Sequence, residues 1–167
     1  PEKDLVTAED TSAAHARACR DFMERSGGYY NAGAFTPFMY KAPNDPPRST
    51  IQFPGGTGGV NWGGTAVDPT TGIVFANAPD TSLVGWVQDK DPNVTYSFEA
   101  VGSKQPYDRA SILGVGPFFS FTAPLSGEYD AEGRPVGPSL ACQRPPWAKL
   151  VAVNANTGEI VWQSVLG

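Results

Sequence analysis

Glycine and proline punctuate this chain so densely that most of it cannot be helical. Gly 19 and Pro 16 together make up about a fifth of the 167 residues, well above ordinary usage. Proline removes a backbone donor and glycine weakens a helix interior, so turns and short strands are what such a chain can build. This is not the composition of a disordered segment. A hydrophobic fraction of 40% with 11% aromatics supplies a core, and the length suits one domain or two small ones.

The remaining composition excludes whole classes of function. Charged residues are only 17%, the net charge is −5 and the pI is about 4.8. No basic run is present, so nucleic acid is not an expected partner. No stretch approaches the roughly 20 apolar residues that span a membrane. The first residues, Pro1-Glu2-Lys3-Asp4, carry no initiator Met and no signal-peptide pattern, and read as the start of a mature product or an excised piece. There is one histidine, His15, and two cysteines, Cys19 and Cys142. That set cannot make a zinc finger or a C-x-x-C redox pair. A Ser-His-Asp system would depend on His15 alone, and no G-x-S-x-G elbow is present.

Residues 10–26 are the one good helix. Asp10 or Thr11 can cap it. Ala14, Ala18, Cys19, Phe22 and Met23 form its apolar stripe, and Gly27-Gly28 ends it. His15 precedes Cys19 by one turn. We read it as a partly exposed surface residue rather than half of a metal or catalytic pair. Residues 29–50 are aromatic and Pro-rich and form an ordered loop leading to a strand at Ser49–Phe53. The run from Gly55 to Gly64 lacks the Lys-Ser/Thr of a phosphate loop and is followed by a strand, not a helix. Its glycines allow close backbone approach and a tight corner. Over 78–140, strands are expected at Leu83–Val87 and Phe118–Phe121. Gly102–Ala110 and Gly127–Gly137 read as loops, and Asn93-Val94-Thr95 matches a glycosylation sequon.

Two segments repeat. Thr65-Ala66-Val67-Asp68 and Ile73-Val74-Phe75 flank the turn Pro69-Thr70-Thr71-Gly72. Val151-Ala152-Val153-Asn154 and Glu159-Ile160-Val161-Trp162 flank Ala155-Asn156-Thr157-Gly158. Both are a strand, an Asx-x-x-Thr-Gly turn and a strand ending in an aromatic. A recurring hairpin suggests the radial repetition of β-propeller blades. The chain has room for about two blades and not a closed ring. The reading is therefore an all-β, mainly antiparallel segment of a propeller with one N-terminal helix. It divides into helix 10–26, blade hairpin 49–77, loop-rich insertion 78–148 and a second hairpin 149–167.

Ala152-Val153-Asn154-x-x-Thr157-Gly158-x-Ile160-x-Trp162 resembles the tryptophan-docking repeat of pyrroloquinoline quinone (PQQ) dehydrogenases. Phe35-Thr36-Pro37, Phe53-Pro54-Gly55, Trp62-Gly63-Gly64, Val67-Asp68-Pro69, Ala76-Asn77 and Cys142-Gln143-Arg144-Pro145-Pro146-Trp147 follow in order. That ordered set resembles the C-terminal half of the membrane-type quinoprotein glucose, polyol and quinate dehydrogenases, from about residue 9 to the end. The resemblance implies an eight-bladed parent propeller holding PQQ and a divalent metal, calcium in most members. It implies oxidation of a sugar or alcohol with electrons leaving to ubiquinone or a cytochrome, and a periplasmic setting for an enzyme that can be anchored to the inner membrane.

The family's catalytic Asp, metal ligands and stacking Trp sit in earlier blades, and no motif here matches them. Asn77 matches the Asn that hydrogen-bonds PQQ from a strand end. Asn61-Trp62-Gly63 locally resembles the stacking-Trp motif of methanol dehydrogenases, making Trp62 a second candidate for cofactor contact, with blade packing as the alternative. Trp147 reads as core or rim packing, and Asp80 as a solvated loop residue rather than a metal ligand. Cys19 and Cys142 fall where family members carry Cys, which implies a disulfide; two buried thiols are the alternative. On this reading the isolated chain is inactive, its partners are the remaining blades, and its bare sheet edges promote self-association. The competing reading is a non-catalytic propeller scaffold or binding module, for which Phe35-Thr36-Pro37 and Cys-x-x-Pro-Pro-Trp have no reason to be present.

Overall fold

The computed structural model describes residues 2–55, 58–61, 64–94, 106–116 and 119–166. After a short 3-10 turn at Glu2–Asp4 come α1 (Ala13–Arg25), β1 (Tyr29–Tyr30), β2 (Ser49–Gln52), β3 (Thr65–Asp68) and β4 (Ile73–Pro79). They are followed by β5 (Leu83–Asp89), β6 (Tyr107–Ser111), β7 (Gly114–Val115), β8 (Thr122–Pro124), β9 (Ser139–Ala141), β10 (Ala148–Asn154) and β11 (Ile160–Leu166). Among the described residues the architecture is mainly antiparallel β with one α-helix, the class expected. Among the described residues no helix is long and apolar enough to cross a membrane.

The strands form a five-stranded sheet in the order β1-β2-β5-β6-β7, a four-stranded sheet β11-β10-β4-β3 and a β8-β9 pair. Among the described residues only β1 and β2 pair as parallel strands, with one isolated parallel bridge between Tyr40 and Val87. The two repeat hairpins do not lie in successive sheets, as the repeat suggested. They are neighbours in the four-stranded sheet, joined by β4 and β10 from Ile73↔Asn154 to Pro79↔Ala148. The repetition therefore lies within one blade-like sheet.

The turn chemistry explains the likeness of the hairpins. Asp68 Oδ1 accepts from the Thr70 amide at 2.9 Å and the Thr70 hydroxyl at 2.7 Å, and Oδ2 accepts from the Thr71 hydroxyl at 2.7 Å. These bonds hold its carboxyl down at about 2. Asn154 Oδ1 accepts from the Asn156 amide at 2.9 Å in the same way. The Ala155 amide donates to the Gly72 carbonyl at 2.9 Å, tying turn to turn. Phe75 and Trp162 both oppose the buried Ala152, one from each side. Their rings meet over it with centroids 6.0 Å apart.

The hydrophobic core lies elsewhere. Leu5, Val6, Cys19, Phe22, Met23, Ile51, Val84, Phe121, Ala123 and Cys142 pack between α1 and the strands beneath it. Helix α1 buries Cys19, Phe22 and Met23, as its stripe predicts, and leaves Ala14 and Ala18 half-buried; it also buries Ala16, outside that stripe, and His15 completely. The expectation of a surface histidine is thus corrected: positions 15, 19 and 22 share one helical face, and that face is the core. The N-cap is Ser12, neither Asp10 nor Thr11. Its Oγ accepts from the His15 amide at 3.0 Å and donates to the Leu125 carbonyl at 2.9 Å. Asp10 is occupied by Thr7, whose amide and hydroxyl both donate to it. These bonds, with Arg144 beside it, keep its carboxyl below the usual range.

Gly27 ends α1 at φ 76°, and a Cβ there would lie 1.7 Å from the Pro47 carbonyl oxygen. Gly28 has φ 74° but open space around it. Gly28→Ala is therefore expected to cost about 1 kcal/mol for the left-handed backbone alone. Gly27→Ala should cost distinctly more, because the Pro47 backbone must also move. Thermal melts of both variants check this; equal losses would mean the close approach is absorbed without cost.

The 78–140 region holds more strand than its sequence shows. Strand β5 covers the expected Leu83–Val87. Tyr107–Ser111, expected to be mostly loop, pairs with β5 from Trp86↔Ala110 to Asp89↔Tyr107. Its Asp108 and Ser111 are polar yet buried, which hides the alternating pattern. Phe118 and Thr95 lie outside the described residues, and with them part of the expected strand at Phe118–Phe121 and of the sequon. Ser120 bridges Leu83, and the strand proper begins at Thr122. Gly127–Gly137 forms the β8–β9 connection, pinned by Arg134 Nε donating to Asp130 Oδ2 at 2.7 Å.

Candidate functional site

Asn77 sits where, among the described residues, the pairing of β4 with β3 ends. β3 pairs with β4 only from Ile73 to Ala76. Asn77 is the first residue past that pairing, backed on the other side by Leu150 of β10. Its side chain is exposed and makes no hydrogen bond to another described residue. A carboxamide in this position offers one acceptor and two donor hydrogens to a planar polar ligand.

Three residues on, the chain is fixed by a clamp built on Gln143. The Asp80 amide donates to the Trp147 carbonyl at 2.8 Å, and the Asp80 carbonyl accepts from Gln143 Nε2. Gln143 Oε1 accepts from the Ser82 amide at 3.2 Å and the Ser82 hydroxyl at 2.6 Å. Trp147 Nε1 donates to the Gln143 carbonyl at 2.8 Å. The segment Cys142–Trp147 thus wraps the exit of β4. Gln143 itself is buried, and both ends of its amide are used, as a buried amide requires. The sequence marked this segment as a motif but did not single out Gln143. The usable signal was a lone amide inside an otherwise Cys-, Arg-, Pro- and Trp-containing run.

The clamp is anchored covalently. Cys142, adjacent to Gln143, is bonded to Cys19 of α1 across 123 residues of sequence. The Cys142 amide donates to the Phe121 carbonyl, and its carbonyl accepts from the Val6 amide, both at 2.9 Å. A continuous path therefore runs from the core helix through the disulfide and Gln143 to the end of β4.

Other candidates are more dispersed. Asp80 has an exposed side chain, and the clamp takes its backbone. Trp147 packs against the core cluster. Trp62 lies outside the described residues. Of the glycine run, Gly55 shows close approach: its amide donates to the Thr81 carbonyl at 2.6 Å, and a Cβ would lie 3.2 Å from Ser82 and Leu83 backbone atoms. Gly58 and Gly64 have open space around them. A cleft of about 250 Å³ lies behind the clamp, lined by Tyr29, Asn31, Ile51, Phe53, Phe121 and Gln143. Burial pushes the Tyr29 phenol well above its ordinary range.

Among the described residues, the group of His, Cys, Asp or Glu side chains close enough to hold a metal is His15, Cys19 and Cys142. Calcium takes six to eight oxygen ligands, so this cluster does not fit it.

A protein-family model described as "PQQ: Glucose/ethanol/alcohol dehydrogenase, beta-propeller domain" matches residues 1–167. The chain is similar to a probable quinate dehydrogenase (quinone) of Xanthomonas campestris pv. juglandis. They are 36% identical over 132 residues, covering 77% of this chain and 15% of that protein. It is similar to quinoprotein glucose dehydrogenase A of Acinetobacter calcoaceticus, at 29% over 129 residues, 77% of this chain and 14% of that protein. A glycerol dehydrogenase large subunit of Gluconobacter thailandicus is 25% identical over 148 residues, 81% of this chain and 17% of that protein. The chain thus spans 14–17% of the length of these relatives. No solved structure matches it significantly.

Proposed function

The chain belongs to the β-propeller family of PQQ-dependent glucose/ethanol/alcohol dehydrogenases, and from that premise we propose that it is a stretch of propeller wall in an enzyme oxidising a sugar, alcohol or polyol. The observation that carries this reading is the family match over residues 1–167. The relatives are named for quinate, glucose and glycerol, all polyhydroxylated, and that is the substrate class proposed here.

Bound PQQ supplies the two-electron acceptor for the hydride leaving the substrate carbon. This chain's share is to hold one edge of that group. Asn77 suits that role, because its carboxamide is exposed, unengaged by described residues, and placed where β3 no longer covers β4. Trp62 is proposed as a second contact, by stacking. The donor set stops there, so the divalent metal, calcium on this reading, must be held by residues outside the described set. Gln143 positions Asn77 by fixing where β4 ends. Electrons pass on to ubiquinone or a cytochrome, and the setting is periplasmic.

In the full-length enzyme, Asn77→Ala is expected to raise the PQQ concentration needed for half-maximal reconstitution by about tenfold or more, the loss of one or two buried hydrogen bonds. Reconstitution of apo-enzyme, followed by dye-linked oxidation of glucose, quinate and glycerol, checks both the contact and the substrate class. A curve superposable on wild type removes Asn77 from the site. Failure to oxidise any of the three removes the proposed substrate class.

The isolated chain is proposed to be inactive and to self-associate. Its four-stranded sheet exposes Val67 (59%), Ile160 (60%) and Val165 (59%), and among the described residues both edge strands lack an outer partner. Such edges and patches seek neighbours. Sedimentation equilibrium should show the mean mass rising above 17.7 kDa with concentration. A constant monomer mass over a wide range would count against it.

A further inference from the structure

We propose that, with its disulfide opened, this chain carries a metal site made by His15, Cys19 and Cys142 that takes a thiophilic divalent cation of the Zn²⁺ type. The inference does not depend on the PQQ reading. All three side chains are fully buried, and their ligand atoms lie within 4.8 Å of one another. His15 Nε2 is 3.4 Å from Cys19 Sγ and 3.2 Å from the Leu140 carbonyl oxygen. His15 Nδ1 is 2.8 Å from the Thr11 hydroxyl.

That pattern becomes a metal-binding imidazole by a change of tautomer. The Thr11 hydroxyl can donate or accept, so it satisfies either tautomer of the ring. The Leu140 carbonyl can only accept, so with the disulfide closed the ring proton sits on Nε2 and Nδ1 accepts from the Thr11 hydroxyl. Binding a cation moves that proton to Nδ1, which donates it to the Thr11 oxygen, and frees the Nε2 lone pair for the metal. Metal-bound histidines are oriented in this way, by an oxygen partner on the other nitrogen. His15 and Cys19 stand one turn apart on α1, so they face the same point. Cys142 is brought to that point by the segment holding the Gln143 clamp. At bond lengths of about 2.0–2.1 Å to nitrogen and about 2.3 Å to sulfur, tetrahedral binding needs the two sulfurs about 3.8 Å apart. Two reduced sulfurs in van der Waals contact meet that spacing. The Leu140 carbonyl oxygen or a water completes the fourth position.

The sulfurs serve the disulfide or the cation, never both. A phosphine reductant breaks the S–S bond: phosphorus is oxidised to the phosphine oxide with oxygen from water, and each sulfur gains one proton. The divalent cation then displaces those two protons as two S–metal bonds form. A small-molecule disulfide oxidant reverses this by thiol–disulfide exchange: it accepts the two electrons and is released as two thiols as the Cys19–Cys142 bond re-forms and the cation leaves.

The test uses the whole 167-residue chain. It is reduced anaerobically with tris(2-carboxyethyl)phosphine, freed of excess reductant and titrated with Co²⁺ as optical probe. One equivalent should give thiolate-to-cobalt charge-transfer absorption and the intense visible bands of tetrahedral cobalt, both displaced by Zn²⁺. The disulfide form should give neither. His15→Ala should weaken binding by more than about tenfold, at least the loss seen when a supporting group is removed. If circular dichroism shows that reduction unfolds the chain, added Zn²⁺ should restore the helical signal and raise Tm. A folded reduced chain without these bands, a His15→Ala chain with unchanged affinity, or an unfolded chain that Zn²⁺ fails to refold would each overturn the site.

Discussion

Replacing Cys19 and Cys142 together by alanine should lower the unfolding free energy by about 3–5 kcal/mol. The bond closes a loop of 123 residues, and the cost of leaving such a loop open falls mainly on the unfolded chain. Domains of this size carry only about 5–15 kcal/mol in total, so the double variant should sit near the edge of folding at 37 °C. Urea denaturation of the two chains side by side measures the difference. A shift below about 1 kcal/mol would mean that the surrounding core holds Cys142 in place without the bond. The variant should also loosen Gln143, since Cys142 is its neighbour and its tether to α1.

Phe121→Ala should cost about 3–5 kcal/mol by loss of buried ring and creation of a cavity. Phe121 is 1% exposed and stands between two rings. Phe22 meets it edge-on at 5.5 Å and Tyr29 at 4.8 Å, contacts worth about 0.5–1.5 kcal/mol each beyond area. Its removal uncouples α1 from β1 at one stroke. Phe121→Leu, which keeps much of the volume, should recover more than half of the loss. Chemical denaturation midpoints at constant slope distinguish these outcomes. A Phe121→Ala chain within about 1 kcal/mol of wild type would show that the core closes over the gap.

What the sequence makes legible is local, and what it hides is long-range. The hairpins of β3–β4 and β10–β11 could be read because Asp68, Gly72, Asn154 and Gly158 carry the turn chemistry within five residues. The stop of α1 could be read because Gly27 is followed by Gly28. The joining of β4 to β10 could not, because nothing in Ile73–Pro79 names Ala148–Asn154 as its partner. Strand β6 escaped because its buried side of the sheet holds Asp108 rather than an apolar residue. His15 escaped because one imidazole on an apolar face reads as surface unless its neighbours at 19 and 22 are weighed with it. For the site, Asn77 was reached through a resemblance, not through its own surroundings. The structure adds its position beyond the end of β3. The role of Gln143 lies in its bonds to Asp80 and Ser82, more than sixty residues away in the chain.

The pairing of β4 with β10 has a consequence for the order in which the chain can assemble. Each hairpin can close as soon as its own residues emerge, on the microsecond scale of such turns. Their union must wait until residues 80–147 have been made and have folded back, because β10 lies at the far end of that excursion. Until then β4 presents a bare hydrogen-bonding edge. Of the sheets described here, the four-stranded one is thus the last to be completed as these residues emerge, and a chain cut short anywhere before Ala148 would leave that edge open to foreign strands.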